Sequence, residues 1–430
     1  MTLAQDAVRA GGYSDRLDRK TAIIVFLAFA AAYFCSALVR AITATLSPVL
    51  TQEFSLQSRD LGLLAAGFFL GFAAIQLPLG KLLDRYGPKR VILCFLSLAV
   101  LGCLAFSAAT TFTGLLASRV LLGTGVGACL MAPLTGYRRW LDTSTQLRAN
   151  SWMLMTGSLG MLSSTLPVQW LVPLTGWRPL FWILAVMIIL AMAALAWVVP
   201  AWRAGHEVTV GVPPTPSEIG VQASPGSYAE VWRSRYFRKM LPIAFIQYGG
   251  MVAMQTLWAG PWMIRVAGYT PLESAAGLFY LNAAMLVTFC CWGMFNPGLA
   301  RRGWSAARLI ARILPLSLVA LTFNIIGGSS VGWFGWALFC VTSSVVGLAQ
   351  PAVGMAFRPS LAGRAMAAYN LGIFAGVFVV QWSIGLLIDA FAAQGMGQAG
   401  SFQWAMGVYL CCCIASYIYF LSVKADNSAQ

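Results

Sequence analysis

The sequence predicts an all-α membrane protein in which twelve transmembrane helices form two pseudo-symmetric six-helix bundles. Three observations lead to this fold class. Of 430 residues, 59% are apolar and only 10% are charged, with a mean hydropathy of +0.76, whereas a soluble domain carries about 25% charged residues. Twelve apolar runs approach or exceed the length that crosses a bilayer. A polar linker divides these runs six and six, and the two halves repeat one another.

The first half accounts for six spans. Each of its apolar runs is close to or above the roughly 20 residues that a helix needs to cross the hydrocarbon core. Residues 20–200 are therefore predicted to form the N-terminal bundle, after a polar cytoplasmic tail of residues 1–19. The predicted spans cover residues 20–50, 60–79, 91–109, 113–137, 149–174 and 179–200.

The composition changes after the sixth span. Residues 201–238 begin with a stretch rich in Pro, Gly and Ser, which is typical of a linker, and we expect this linker to be cytoplasmic. Residues 239–424 are predicted to form the C-terminal bundle, followed by a short cytoplasmic tail of residues 425–430. The predicted spans of this half cover residues 240–266, 271–299, 305–327, 331–357, 361–391 and 402–423.

The two halves carry matching residues at a nearly constant distance. Pro48 and Gly80 have counterparts 213 residues later, and Arg148 and Gly160 have counterparts 216 residues later. Such a repeat of six spans indicates two bundles related by a pseudo-two-fold axis.

Charge predicts the orientation and argues against nucleic acid as a partner. The formal net charge is +15, but the bases collect in alternate loops, as the positive-inside rule requires. The opposite loops hold only Arg59, Arg178 and Arg265. We therefore expect a multi-pass protein of a bacterial inner membrane with both termini in the cytoplasm.

A short segment after the second predicted span carries two glycines that flank an acid and several bases. It reads Gly80-Lys-Leu-Leu-Asp84-Arg85-Tyr-Gly87-Pro-Lys-Arg90. In a long apolar chain this pattern resembles the signature loop of the major facilitator superfamily of secondary transporters, with Pro88 in place of the first base of the closing run.

The resemblance implies an alternating-access carrier whose two bundles rock about a central cavity. It also implies a latch, in which Asp84 meets the positive N-terminal end of span 11 and favours the outward-open state. The alternative is a solvated turn. The residues to which the resemblance assigns gating roles are Gly80, Asp84, Arg85, Gly87, Arg90, Arg119 and Arg364.

Arg40 is the most informative single residue. It lies deep in the first span, where an unpaired base is costly and should face a cavity or a partner. Together with Tyr33 and Pro48 it resembles the first span of the anion-cotransporting branch, in which such an arginine binds a substrate carboxylate. A guanidinium suits this role because its fork of donors fits an oxyanion.

Two departures weaken that branch assignment. Val39 stands where the branch usually has an acid, and no glutamate is found near Val126 in the fourth span. The alternative is a structural arginine bonded to backbone carbonyls or to a neighbouring helix. Arg119 leaves a similar choice open: its surroundings resemble the span 4 motif of the superfamily, and it can serve packing or coupling.

Several polar and aromatic residues of the second half are candidates for binding the substrate. Gln255 and Trp258 share one face of span 7, whereas the others interrupt apolar runs in spans 8 and 11. Each can instead bond a neighbouring helix, and Trp258 can be an interfacial anchor. The selected residues are Gln255, Trp258, Asn282, Tyr369 and Asn370.

Groups for proton transfer or catalysis are scarce. The only histidine, His206, lies in the linker, and the spans lack a central carboxylate. The candidate for proton coupling is therefore Asp389 near the end of span 11 or an acid at a loop end, and the alternative is an exchanger, which needs no titrating group. The ten cysteines lie mainly in apolar runs and are expected to pack there. Motifs for a metal ion, a cofactor or an enzyme are not found.

These observations predict a secondary active transporter for a small solute, with an organic or inorganic anion preferred. Its partners are expected to be this solute, a co-transported proton or counter-anion, and membrane lipid, and the carrier is expected to be a monomer. The alternatives are an efflux carrier for neutral or cationic compounds and a membrane sensor that binds without transport.

Overall fold

A computed structural model describes residues 16–202 and 227–423. The predicted tails 1–19 and 425–430 and the linker 201–238 therefore lie wholly or mostly outside the described residues. Within the described ranges every regular element is a helix, which confirms the all-α membrane fold. Nine stretches of these ranges are long and apolar enough to cross a membrane, and spans 2, 5 and 7 are each built from shorter helical segments.

The first half forms six spans. Span 1 is the helix Arg19–Phe54, and span 2 joins the helix Ser58–Ala74 to residues 76–86. Span 3 is residues 88–108, because the helix Gln76–Ala108 turns at Gly87. The remaining spans are Phe112–Val126 with Met131–Trp140 (span 4), Thr143–Ser163 with Leu166–Thr175 (span 5) and Trp177–Val198 (span 6).

The second half begins with a short helix, Tyr228–Arg233, within the predicted linker. Span 7 starts at Arg235 and alternates α- and π-helical segments up to Arg265. Pro261 has no N–H to donate, and the π-helical segment Met254–Trp258 ends three residues before it. The remaining spans are Pro271–Arg301 (span 8), Ala306–Gly327 (span 9), 333–355 (span 10), Pro359–Ala393 (span 11) and Gln398–Ser422 (span 12).

Contacts between helix ends define two faces of the molecule. The Leu17 amide donates to the Trp140 carbonyl, 3.0 Å away, which places the start of span 1 beside the end of span 4. Lys239 near the start of span 7 donates to the Val423 carbonyl at the end of span 12, 2.8 Å away. We call this the terminal face, because both chain ends approach it, and the opposite one the distal face.

Equivalent glycines bring equivalent helices together in the two bundles. A Cβ at Gly160 of span 5 would collide with the backbone of span 1 at Phe34, and one at Gly376 of span 11 would collide with the backbone of span 7 at Phe245. Helices approach this closely only where a side chain is absent. The predicted repeat of Gly160 and Gly376 therefore marks the same packing in both halves.

The signature segment is mostly helical rather than the loop that the sequence predicts. After a short break at Ile75, residues 76–86 continue span 2 as a helix, with Pro78 in its first turn, where a missing N–H is tolerated. Gly87 has φ 77° and ψ 163°, a conformation that favours glycine, and Pro88 begins the next helix, where its missing N–H has no cost. The side chain of Trp202, just after span 6, covers Gly87.

This turn generates the first prediction. Gly87→Ala should destabilise the protein by about 1–2 kcal/mol, because alanine is strained at positive φ and its methyl group would displace Trp202. The measurement is the apparent melting temperature of the purified protein. Gly80→Ala is the matched control, since Gly80 is helical and has no atom within 4 Å of its Cβ position. Equal melting temperatures for the two variants would contradict the assigned geometry.

Candidate functional site

Arg40 lies near the middle of span 1, 21 residues after its start and 14 before its end. Its guanidinium carbon is 5.4 Å from the centre of the Phe72 ring of span 2. The side chain is half-buried, its buried Nε has no hydrogen-bond partner, and it forms no ion pair with any described residue. Backbone carbonyls therefore do not occupy this guanidinium, and it keeps the capacity to bind an oxyanion.

Two tyrosines accompany Arg40. Tyr33 lies seven residues earlier on the same face of span 1, and its ring packs against Gly157 of span 5. Its hydroxyl donates no hydrogen bond to the described residues. Tyr248 of span 7 was not selected from the sequence. It lies close enough to Arg40 and Tyr33 for its hydroxyl to interact electrostatically with both side chains. The neighbourhood of Arg40 thus includes groups from both bundles.

Arg119 of span 4 has a different environment. It is only 1% exposed, and its Nη1 donates to the Val39 carbonyl of span 1 over 3.0 Å. Its guanidinium carbon lies 5.2 Å from the centre of the Phe68 ring, while Nε and Nη2 remain unpaired. Of the two roles left open by the sequence, the geometry favours packing, because Arg119 holds the backbone directly before Arg40.

An aromatic cluster lies between the two bundles beside Arg40. Phe374 of span 11 meets Phe72 at a centroid distance of 4.4 Å and Phe69 at 6.3 Å. These rings place an apolar layer between spans 2 and 11 near mid-membrane. The sequence did not indicate them, because a phenylalanine in an apolar run can equally face the other bundle or the lipid.

Spans 2 and 11 are in close contact from this cluster to the distal face. A Cβ at Gly62 would lie 2.8 Å from the Gln381 carbonyl oxygen, and one at Gly385 would collide with the Ser58 carbonyl oxygen. At the distal end, both carboxylate oxygens of Asp389 accept backbone N–H groups, from Ser58 at 3.1 Å and from Arg59 at 2.8 Å. Asp389 therefore caps the first turn of span 2 across the bundle interface.

Trp258 belongs to this closed distal half. It is fully buried, its indole N–H donates to the Gln381 carbonyl over 2.9 Å, and its ring packs near Gly62. A small cavity of about 210 Å³ lies on its distal side, lined in part by Ser47, Arg265 and Asp389. The predicted contact of Trp258 with substrate is not supported in this state, because its polar atom is committed to span 11.

Gln255 and Asn282, which were predicted to bind the substrate, are paired with each other in this state. Gln255 donates to the Asn282 side-chain oxygen over 2.9 Å, Asn282 donates to the Leu278 carbonyl over 2.8 Å, and both residues are buried. Their amides thus join span 7 to span 8 in this state, and their binding of the substrate stays a prediction. The sequence left this alternative open, because a polar group in an apolar helix needs a partner but does not reveal which one.

Tyr369 and Asn370 of span 11 are likewise engaged within the second bundle. Tyr369 is 1% exposed and packs against Phe237 of span 7, with its hydroxyl 3.5 Å from the Met240 carbonyl. Asn370 accepts from Gln350 of span 10 over 2.7 Å. Tyr369 thus packs within the second bundle, and Asn370 pairs with Gln350, a polar residue in an apolar run that the sequence could have indicated as its partner. Substrate binding by Tyr369 and Asn370 stays a prediction.

The terminal face is open where the distal face is closed. Gly80 of span 2 and Gly363 of span 11 have no atom within 4 Å of their Cβ positions. Asp84 is exposed and forms no ion pair among the described residues, so the predicted contact with span 11 is not made in this state. Spans 2 and 11 separate here while their distal ends stay together.

The other signature residues lie around this opening. Arg85 stacks on Tyr86 with its guanidinium carbon 5.2 Å from the ring centre, and Arg90 is exposed. Arg364 is half-buried near the start of span 11. Their gating roles stay predictions, because the contacts proposed for these side chains would form only when the terminal face is closed.

Comparison with known proteins shows the family to which this fold belongs. A family model described as Major Facilitator Superfamily matches residues 29–380. Two solved structures share the fold along nearly the whole chain. A bacterial homologue of the human lysosomal transporter Spinster has a TM-score of 0.74 at 16% identity, covering 94% of this chain and 97% of the other. A D-xylose–proton symporter has a TM-score of 0.73 at 12% identity, covering 95% and 99%.

Relatives of known name are transporters. The 4-hydroxybenzoate transporter PcaK of Pseudomonas aeruginosa is 26% identical over 59% of this chain and 62% of its own length. The multidrug resistance protein MdtL of Shigella flexneri is 23% identical over 87% and 89%. The probable sulfoacetate transporter SauU of Cupriavidus necator is 24% identical over 55% and 56%. The chain thus matches less than two thirds of the first and third relatives.

The amide pair of spans 7 and 8 generates the second prediction. Asn282→Ala should destabilise the protein by about 1 kcal/mol, because the buried Gln255 amide loses its partner. The double variant Gln255→Leu with Asn282→Leu should recover most of this loss, since no buried amide remains unpaired. Melting temperatures of the three proteins measure both effects. A double variant less stable than the single one would contradict the structural role.

Proposed function

Since the chain belongs to the Major Facilitator Superfamily and is a secondary transporter, we propose that its solute is a small anion that binds at Arg40. The observation that carries this proposal is the unpaired guanidinium in the middle of span 1. The relatives named for 4-hydroxybenzoate and sulfoacetate support it, because both compounds are organic anions. The family match agrees with the resemblance inferred from the signature segment.

The charge inside the membrane favours an anion. Between their ends, the described spans contain Arg40 and Arg119, whereas every carboxylate of these spans lies within about a turn of a helix end or of the Gly87 turn. Two cations without a counter-charge are costly in a low-dielectric interior. A bound carboxylate, sulfonate or phosphate would supply the missing charge and accept hydrogen bonds from the Arg40 fork.

The drug-efflux alternative rests on MdtL, whose match covers 87% of this chain. A cationic compound at the same site would meet Arg40 without a nearby acid, and repulsion between like charges would oppose its binding. If the protein is a drug-efflux carrier, its substrates are therefore expected to be neutral rather than cationic compounds. A sensor that binds without transport is distinguished by flux into proteoliposomes.

We propose that the terminal face is cytoplasmic in a bacterial inner membrane. The bases of the described loops lie mainly on this face, and the distal loops hold only Arg59, Arg178 and Arg265. This distribution follows the positive-inside rule. On that orientation, the state described here is closed to the outside and open to the cytoplasm.

The antiparallel pair of spans 2 and 11 supplies a mechanism for alternating access. Each span ends near a carboxylate, Asp84 or Asp389, that is placed to meet the N-terminal end of the other span. We infer that Asp389 holds the outside closed and that Asp84 holds the inside closed in the opposite state. Asp389 also remains the carboxylate available for coupling to a proton, whereas exchange for a counter-anion needs no titrating group.

The anion hypothesis generates the third prediction. Arg40→Ala should weaken binding of the transported anion by about 10- to 100-fold, because hydrogen bonds to a charged group are lost. Arg40→Lys should fall between the wild type and Arg40→Ala, since it keeps the charge but not the fork. Thermal-shift titrations with 4-hydroxybenzoate, sulfoacetate and other small carboxylates identify the ligand, and proteoliposome flux then gives KM.

Arg312→Ala is the matched control for this experiment. Arg312 is an exposed arginine of span 9 that stacks on Trp304, so its loss should leave KM unchanged. Stabilisation of the wild type by neutral or cationic compounds alone would reject the proposal. So would an Arg40→Ala protein that binds the identified anion as tightly as the wild type.

The latch generates the fourth prediction. Asp389→Asn should shift the carrier toward the outward-open state by about 1–2 kcal/mol, a five- to thirtyfold change in population, because the carboxylate bonds to the first turn of span 2 weaken. A cysteine introduced at Ser47, in the small distal cavity, should then react several-fold faster with a membrane-impermeant maleimide.

Asp60→Asn serves as the control for the latch. Asp60 lies in the same first turn of span 2, but it accepts from the Gln57 backbone of its own segment rather than from span 11. Its replacement should leave the labelling rate of the Ser47 cysteine near the wild-type value. Equal rates in the wild-type and Asp389→Asn backgrounds would show that Asp389 does not hold the distal side closed.

A further inference from the structure

A groove of about 930 Å³ opens between spans 8 and 9, with span 10 as its floor. Its walls are mainly apolar and include Cys291 and Phe295 of span 8, Ile313 of span 9 and Val341 of span 10. Both flanking spans pack against span 10, so the space between them is left to the surroundings of the protein. We propose that this groove binds an anionic glycerophospholipid from the leaflet on the terminal side.

The exposure of the groove makes a lipid its natural occupant. Val287, Met294 and Phe295 on its span 8 side are 61–67% exposed. All three lie on a helix that crosses the membrane, so this exposed surface faces the bilayer and not water. Apolar side chains at this depth face lipid unless a neighbouring helix covers them. An acyl chain can fill such a groove without any unpaired polar group.

The terminal end of the groove carries two arginines that select for negative charge. The side chains of Arg301 and Arg302 are exposed and form no ion pair or hydrogen bond among the described residues. The sequence contains no Asp or Glu from residue 274 to residue 388, so the terminal halves of spans 8 to 11 have no carboxylate of their own to neutralise them. A phosphate group supplies that charge, and basic pockets between helices at this level of a membrane bind anionic head groups.

The two parts of the groove lie at a distance that fits a phospholipid. From Arg301 to Val287, span 8 covers 14 residues, which is about 21 Å at 1.5 Å per residue. One leaflet contributes about 15 Å of hydrocarbon, half of the roughly 30 Å core. The groove thus reaches from the head-group region to about mid-membrane, the extent of one acyl chain with its head group.

The other arginines of this surface are already engaged. Arg308 donates to the Gly303 carbonyl over 3.0 Å, and Arg312 stacks on Trp304. They lie close to the same membrane face but do not line the groove. This difference provides a matched control, because replacing Arg308 removes the same charge from the same face without changing the groove.

Native mass spectrometry of the purified full-length protein tests the proposal, with dioleoyl phosphatidylglycerol, dioleoyl phosphatidylcholine and sn-glycerol 3-phosphate as probes. The wild type should retain phosphatidylglycerol about tenfold better than phosphatidylcholine. The double variant Arg301→Ala with Arg302→Ala should lose this preference, whereas Arg308→Ala should keep it. Val287→Trp, which fills the apolar end, should weaken retention of both lipids while the arginines remain.

Each contrary result overturns a specific part of the proposal. Equal retention of the two lipids by the wild type, or an unchanged preference in the double variant, removes the arginine site. An equal loss in Arg308→Ala assigns the effect to the general charge of the face. Retention of sn-glycerol 3-phosphate as strong as that of phosphatidylglycerol, or an unaffected Val287→Trp protein, excludes the apolar groove as the seat of the acyl chain.

Discussion

The close backbone approach of spans 2 and 11 is the constraint on which the state of the carrier depends. Gly62 and Gly385 let the two helices touch without intervening side chains, and Asp389 fixes their distal ends by capping span 2. The same two helices are apart at the terminal face, where Asp84 is exposed and the Cβ positions of Gly80 and Gly363 have no neighbouring atom. The distal contact and the terminal opening thus belong to one arrangement of this pair of helices.

Arg40 and Arg119 show how one residue type takes two roles in the same bundle. Arg119 is enclosed, lies against Phe68 and donates to the Val39 carbonyl, which fixes the backbone of span 1. Arg40 follows Val39 directly, yet its own guanidinium has a ring beside it and no acceptor. The first arginine thus supports the second, and the cation that is left without an acceptor is the one beside the contact of Phe72 with Phe374 between the bundles.

The sequence predicted most of the fold and one central residue of the candidate site. Twelve spans and a repeat follow from apolar run lengths and from pairs such as Gly160 and Gly376, because the bilayer imposes a length that sequence alone reveals. Arg40 was found for a related reason, since an isolated base in an apolar run is costly in any fold. The twelve spans and Arg40 need only local information, and the repeat needs only a comparison of the sequence with itself.

The remaining site residues depend on contacts between distant segments. Asp389 and Ser58 are 331 residues apart, and nothing near either residue identifies the other as its partner. Gln255 and Asn282 hydrogen-bond to each other. Their polarity in the sequence shows that each needs a partner, but it does not show that the partner is another residue of the protein rather than the substrate. Phe72 and Phe374 are hidden for the opposite reason, because aromatic residues in apolar spans are too common to stand out.

The position of Arg40 also connects binding to the transport cycle under the proposed function. Closing the terminal side around an empty site would enclose a guanidinium with no counter-charge, and a buried unpaired charge costs several kcal/mol. A bound anion removes that penalty, so the loaded carrier can occlude where the empty one resists. The same group would then bind the solute and prevent the cycle from turning without it, and an exchanger would follow from this penalty even without a titrating residue in the membrane interior.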